Sequence, residues 1–240
     1  MSNSRQLLAS ILLYKNTVNA TLASGFAELD AELPGGGWPL GALCELLPRH
    51  VGIGELRLLG PALASLSAAG RSLAWIAPPH RPYAPALAAA GIDLARVLVV
   101  NTRSEREAWW AAEQALASRS CGAVLLWPGQ LPFIALRRLS LASAGSSALS
   151  FLFRAPQAAS SASPAVLRLA LSACVGGLRL DLLKRRGAPA LHGLVLDTSM
   201  AAERSSSQRI QPVVSADVPA EAQRASPDFS PVLSSKRLTV

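Results

Sequence analysis

Five short apolar runs recur between residues 42 and 154, each followed by a longer stretch: ALCELL (Ala42 to Leu47), SLAWIA (Ser72 to Ala77), VLVV (Val97 to Val100), GAVLLW (Gly122 to Trp127) and ALSFLFR (Ala148 to Arg154). Runs this short and this rich in Leu, Val and Ala suit strands buried on both faces, the condition of a parallel sheet covered by helices. The stretches between them read as those helices. Gly54 to Ala69 sets Leu56, Leu59, Leu63 and Leu66 at spacings of three and four; Tyr83 to Ala90 is shorter and is followed by Gly91; Ser104 to Ser118 and Pro132 to Ala144 complete the alternation. The prolines of PPHRP close the second strand, because proline has no N–H to give to a ladder. The pattern predicts an α/β fold.

After the small, polar loop APQAASSASP (155–164) the period changes. VLRLALSAC and GLRLDLLKR alternate polar and apolar residues on either side of Val175, Gly176 and Gly177, a hairpin signature, and LHGLVLD supplies one more strand. A mixed central sheet with late antiparallel strands is therefore expected. Residues 21–197 form the core domain in this reading, residues 1–20 an N-terminal helix or extended segment, and 198–240, with scattered Ser, Pro and charge, a disordered tail. A chain of 240 residues that is 50% hydrophobic can bury a core of that size.

Three cysteines without a CxxC, and few histidines, argue against a disulfide framework and a structural zinc; no metal is expected. The apolar run from Leu7 to Tyr14 is too short to span a bilayer and lacks a convincing cleavage site, so a cytoplasmic location is expected. The formal charge is +8 and most of the surplus precedes residue 200, which suits an acidic protein partner or nucleic acid.

The segment between the first strand and the first long helix, PRHVGIGEL, stands where a phosphate-gripping loop of the form GxxxxGK[ST] would stand. In such a loop backbone N–H groups cradle phosphate, the lysine contacts it and the hydroxyl ligates magnesium. Here Gly54 takes the lysine position and Glu55 the hydroxyl position, with Arg49, His50 and Gly52 preceding them. One change deletes a cation; the other brings a carboxylate toward phosphate. The fourth apolar run ends in Trp127, where an aspartate would help hold magnesium, and an indole coordinates no magnesium. Neither a cofactor nor catalysis is expected.

The segment TLASGFAELDAELPGGGWPLGALCELL (21–47) resembles the entry to the core of RecA-type recombinases, through Gly25, Leu29, Asp30, Gly35 to Gly37, Pro39, Gly41 and Glu45. The resemblance covers about residues 20–197 and implies a RecA-like P-loop NTPase core with a degenerate phosphate loop. With the missing lysine and aspartate, the compact length and the late LLKRRGAP segment, the chain looks most like the ImuA family, RecA-like accessory proteins of bacterial mutagenic translesion synthesis in the SOS response. That resemblance implies a catalytically inactive adaptor that binds ImuB and RecA, with the DnaE2 polymerase as an indirect partner. The same family is grouped with SulA, a division inhibitor, so a SulA-like inhibitor of an assembling protein is an alternative, and a divergent ATPase a further one.

Several residues carry two readings. His50 is a loop histidine or, with Arg49, an anion contact at the helix N-terminus. The glycines at 35 to 37 make a turn or a partner-facing loop. Trp109 and Trp110 project about 100° apart on one helix, so one packs and the other faces solvent or a partner. Trp38 is a loop-packing residue or an anchor. Lys184, Arg185 and Arg186, extended by Arg179, are a solvated hairpin end or a contact for single-stranded DNA or an acidic partner. Leu7, Leu8, Ile11, Leu12 and Tyr14 are candidate partner contacts of the N-terminal segment.

Overall fold

A computed structural model describes residues 20–198. The predicted N-terminal segment, with Leu7, Leu8, Ile11, Leu12 and Tyr14, lies outside the described residues except for Ala20, and so does the predicted tail except for its first residue, Thr198, which is buried. The chain enters through a ribbon of β1 (Thr21–Leu22) and β2 (Trp38–Pro39), which pair antiparallel around α1 (Ala27–Glu32). Neither the ribbon nor α1 was legible as an element in the sequence. The glycines settle as a turn: Gly35 and Gly36 adopt left-handed φ, and the Thr21 hydroxyl donates to the Gly35 carbonyl at 2.7 Å. Trp38 follows fully buried, edge-on to Phe151 with ring centroids 5.1 Å apart, so it is a packing residue.

From there the alternation holds. The chain runs through β3 (Ala42–Pro48), α2 (Glu55–Ala68), β4 (Ser72–Ile76), α3 (Ala84–Ala89), β5 (Val97–Val100), α4 (Glu105–Ala117), β6 (Cys121–Leu126), α5 (Phe133–Ala144) and β7 (Leu149–Phe153). A 3-10 turn at Pro156–Ser160 interrupts the predicted loop before β8 (Leu167–Cys174), β9 (Gly177–Lys184) and β10 (Leu191–Leu196). The eight long strands form one sheet in the order β10-β9-β8-β3-β7-β6-β4-β5. Strands β8, β3, β7, β6, β4 and β5 are parallel to their neighbours, while β8-β9 and β9-β10 are antiparallel. The fold is α/β with a mixed sheet ending in antiparallel strands.

Strand alternation divides the core. Cys44, Leu46, Trp75, Phe151, Leu169 and Leu180 face α1 and α2, whose Leu29, Leu58, Leu59 and Leu63 are fully buried; each such leucine contributes about 1.5–3 kcal/mol relative to exposure. Leu43, Ile76, Val124 and Leu152 face α4 and α5 through Ala108, Ala112, Leu116, Ala135, Leu136 and Leu139. The α4–α5 layer does not cover the same face of β9, where Arg179 is exposed and Asp181 half-buried. Because the parallel strands all point one way, the loops after β3, β4, β6 and β7 gather at one edge of the sheet, where α/β proteins place their sites.

Candidate functional site

The loop after β3 turns at Gly52 and Gly54, whose φ values of 83° and 112° lie in the left-handed region. Such a turn directs backbone N–H groups inward, as a phosphate cradle does. Here the cradle is filled from within. The Gly52 N–H donates to Glu55 Oε1 at 2.8 Å and the Gly54 N–H donates to Glu55 Oε2 at 3.1 Å, with Glu55 buried at 5% exposure. A carboxylate in the first turn of α2 also meets the positive end of the helix dipole. No phosphate-loop motif is present, and Glu55 holds the two amides that a phosphate would need. Beside the loop, an apolar cleft of about 510 Å³ runs between α2 and α3, lined by Leu56, Leu63, Trp75, Tyr83, Leu87 and Ile92.

Trp127 lies one residue beyond β6, its N–H donating to the Ile76 carbonyl at 3.1 Å. Its indole stacks on Phe153 at a centroid distance of 4.3 Å and 5° between planes, and leans on Trp75 at 5.9 Å. Trp75 in turn lines the cleft beside the loop, so one aromatic row joins the ends of β4, β6 and β7. Where an ion-binding aspartate would sit there is packed ring surface. Among the described residues no group of three or more His, Cys, Asp or Glu could hold a metal ion.

The basic residues separate into two places. Arg179, at the turn end of β9, shares a cleft with Arg49, His50, Ser172 and Cys174, while Lys184 to Arg186 lie at the other end of the strand, about 17 Å away at 3.3 Å per residue. Arg179 therefore extends the Arg49–His50 pair and not the 184–186 run. Arg185 is corrected from a contact residue to an internal tie: its Nη1 donates to Glu32 Oε2 at 2.6 Å and to the Glu32 carbonyl at 2.8 Å, and its Nε to the Pro189 carbonyl at 2.7 Å. A guanidinium at the C-terminal carbonyl of α1 is stabilised by the carboxylate and the helix end together. The Lys184 ammonium reaches the Ser163 carbonyl at 3.1 Å and stays exposed, as does Arg186, which lines a small cleft with Pro34, Leu43 and Ser140.

Glu45 anchors a second internal cluster. It sits within β3, not at its end, and is fully buried: Oε1 accepts from Arg154 Nη1 at 3.1 Å and from the Ser163 hydroxyl at 2.7 Å, while Oε2 accepts from Arg168 Nε at 2.7 Å. Arg168 also donates to the Ala158 carbonyl at 2.6 Å, clamping the 3-10 turn onto the sheet. Sequence reading missed Arg154 and Arg168. The available signal was an acidic residue interrupting the apolar run of a central strand, which requires a buried cation.

The surface is open elsewhere. Among the described residues, edge strand β5 pairs only with β4 and leaves Leu98 at 56% and Val99 at 38% exposure, pointing to opposite faces because they pair with Ala74 and Trp75. Trp109 is half-buried against the α4–α5 core, whereas Trp110 is 61% exposed, the division that helical geometry demanded.

No protein-family profile matches the chain, and no curated protein matches it. Among solved structures, the chain is similar to SulA from Pseudomonas aeruginosa, with 29% identity over 47% of this chain and 97% of that one, at a TM-score of 0.40.

Proposed function

We propose that this chain is a RecA/SulA-like binding protein that performs no nucleotide chemistry. The observation that carries the reading is Glu55: with its carboxylate on the amides of Gly52 and Gly54, a nucleotide phosphate would have to displace a buried anion and would find no lysine in exchange. What such a body retains is surface. Two finer readings share it. In the first the chain is an adaptor of SOS mutagenic translesion synthesis that binds ImuB and RecA, with DnaE2 reached indirectly; this rests on the sequence pattern of residues 21–47 and on the lost catalytic set.

In the second it is a SulA-like inhibitor of an assembling protein. Exposed β5 favours this reading, because an unpaired apolar edge can add to the sheet or surface of a growing polymer and stop it. Any contact with single-stranded DNA is assigned to Arg49, His50 and Arg179, which share one cleft. Calorimetry with magnesium and ATP tests the common part: saturable heat in the low micromolar range, roughly that of an intact site, would overturn it. Titration against ImuB, RecA and a division protein separates the finer readings, since an adaptor binds the first two and an inhibitor of division only the third.

A further inference from the structure

Helices α4 and α5 connect consecutive parallel strands and so run in the same direction on one face of the sheet. An ion pair, Glu113 to Arg138 at 2.5 Å, bridges them on the solvent side of their shared core. One turn before Glu113 stands Trp110, 61% exposed; one turn before Arg138 stands Ile134 at 72%, and one turn after it Leu141, also at 72%. Positions 134, 138 and 141 share a helix face, as do 110 and 113, so the three large apolar side chains flank the ion pair along the groove that any two side-by-side helices leave between them. Ile134 and Leu141 lie about 10 Å apart along the axis, two turns of helix. A chain that buries Leu58, Leu59 and Leu63 completely has left a tryptophan, an isoleucine and a leucine in water on the opposite layer.

Charge around the groove selects what can lie in it. Arg106, Arg137 and Arg138 ring the apolar residues, and Glu113, the acid on the groove side, is already taken by Arg138. Of the other acids of α4, Glu105 accepts from the Gln130 N–H at 2.8 Å, and Glu107, one turn before Trp110, accepts from the Arg103 N–H at 2.8 Å, which leaves Arg106 and Arg137 in excess over the acids beside the apolar residues. A second copy docked through this face would set arginines against arginines. The chain's own residues 1–19 contain Arg5 and Lys15 and no acid, and the four acids of residues 199–240 are outnumbered by five basic residues, so neither segment complements the rim better. We propose that the α4–α5 groove receives an amphipathic helix of a partner protein, with apolar residues at two-turn spacing against Trp110, Ile134 and Leu141 and acidic residues on its flanks. This is helix-in-groove recognition, with the aromatic anchor supplying affinity and the rim supplying selectivity. The surface is separate from the β5 edge, and the inference stands without the functional reading above.

The test uses the full chain and two synthetic amphipathic peptides with the same leucine stripe, one flanked by glutamates and one by lysines, titrated by calorimetry. The glutamate peptide should bind at least about tenfold more tightly, and the preference should weaken as salt rises. Trp110→Ala should weaken binding by about tenfold or more with an unchanged circular dichroism spectrum and melting point, as expected of an exposed residue. The double charge reversal Arg106→Glu with Arg137→Glu should transfer the preference to the lysine peptide. Equal affinity for the two peptides, or a Trp110→Ala variant that binds as the parent does, overturns the proposal. So does sedimentation showing a dimer that Trp110→Ala abolishes, because the occupant would then be a second copy.

Discussion

The end of β3 and the far edge of the sheet at β5 treat their exposed chemistry in opposite ways. Around β3 the phosphate cradle is met from inside: Glu55 satisfies the loop amides, Glu45 the two arginines, and packed aromatic rings occupy the end of β6, while Arg49 and His50 stay exposed beside it. At the β5 edge and on the adjoining α4–α5 layer, apolar groups that could pack are left in solvent. The cradle is closed by the chain's own carboxylate, while large apolar side chains on the flanks remain exposed.

The strongest way to break this comparison is at Glu45. Glu45→Ala leaves Arg168, only 7% exposed, without its carboxylate, and should cost about 3–5 kcal/mol, because a buried charge loses its partner. Urea denaturation measures it, and Glu45→Gln, which keeps the shape and one acceptor, should cost less. A loss below about 1 kcal/mol, the range of an exposed ion pair, would mean that the cluster is no internal tie.

The next largest effects concern the loop and the α1 tie. Glu55→Ala orphans two amides and should destabilise by about 1–3 kcal/mol. It should also open the cradle, so inorganic phosphate should raise the melting temperature of the variant more than that of the parent, by mass action on the folded state. An identical phosphate response in both proteins would break the cradle description. Arg185→Ala should cost about 1–3 kcal/mol through its lost charged hydrogen bonds, whereas Lys184→Ala and Arg186→Ala should each stay within about 0.5 kcal/mol. Equal losses at all three positions would return Arg185 to the solvent-facing run.

The smallest effect on stability belongs to the open side. Val99→Lys places a charge on an edge strand in a half-exposed position and should change folding stability by no more than about 0.5 kcal/mol, while abolishing any partner that pairs along β5. Unchanged affinity for such a partner would move the contact off the edge. The cysteines give a finer probe of closure without mutation. Burial pushes the thiols of Cys44 and Cys121 above the ordinary range, partly opposed at Cys121 by Ser120 and Arg71. A raised pKa leaves less thiolate at a given pH and burial keeps the reagent out, so Cys44 and Cys121 should react with a thiol reagent after the half-buried Cys174. Labelling of Cys44 as fast as Cys174 would show that the β3 region opens readily.

What the sequence determined alone is the layer structure. The apolar runs at 42–47, 72–77, 97–100, 122–127 and 148–154 became β3, β4, β5, β6 and β7 within a residue or so, because a strand covered on both faces must be mostly apolar whatever its neighbours, although β5 at the edge leaves Leu98 and Val99 exposed. The missing lysine at Gly54 was equally legible, since a side-chain charge is either written in the chain or absent. The partners of charges were not legible. Glu45 finds Arg154 and Arg168 at separations of 109 and 123 residues, and Arg185 finds Glu32 across 153, contacts that exist only once β3 lies between β7 and β8 and α1 lies against the late strands. Periodicity records which side chains leave water, one at a time. Which cation a buried carboxylate meets depends on strand order, and strand order is a property of the assembled sheet, so only the tertiary structure could divide the basic residues into internal ties and free surface.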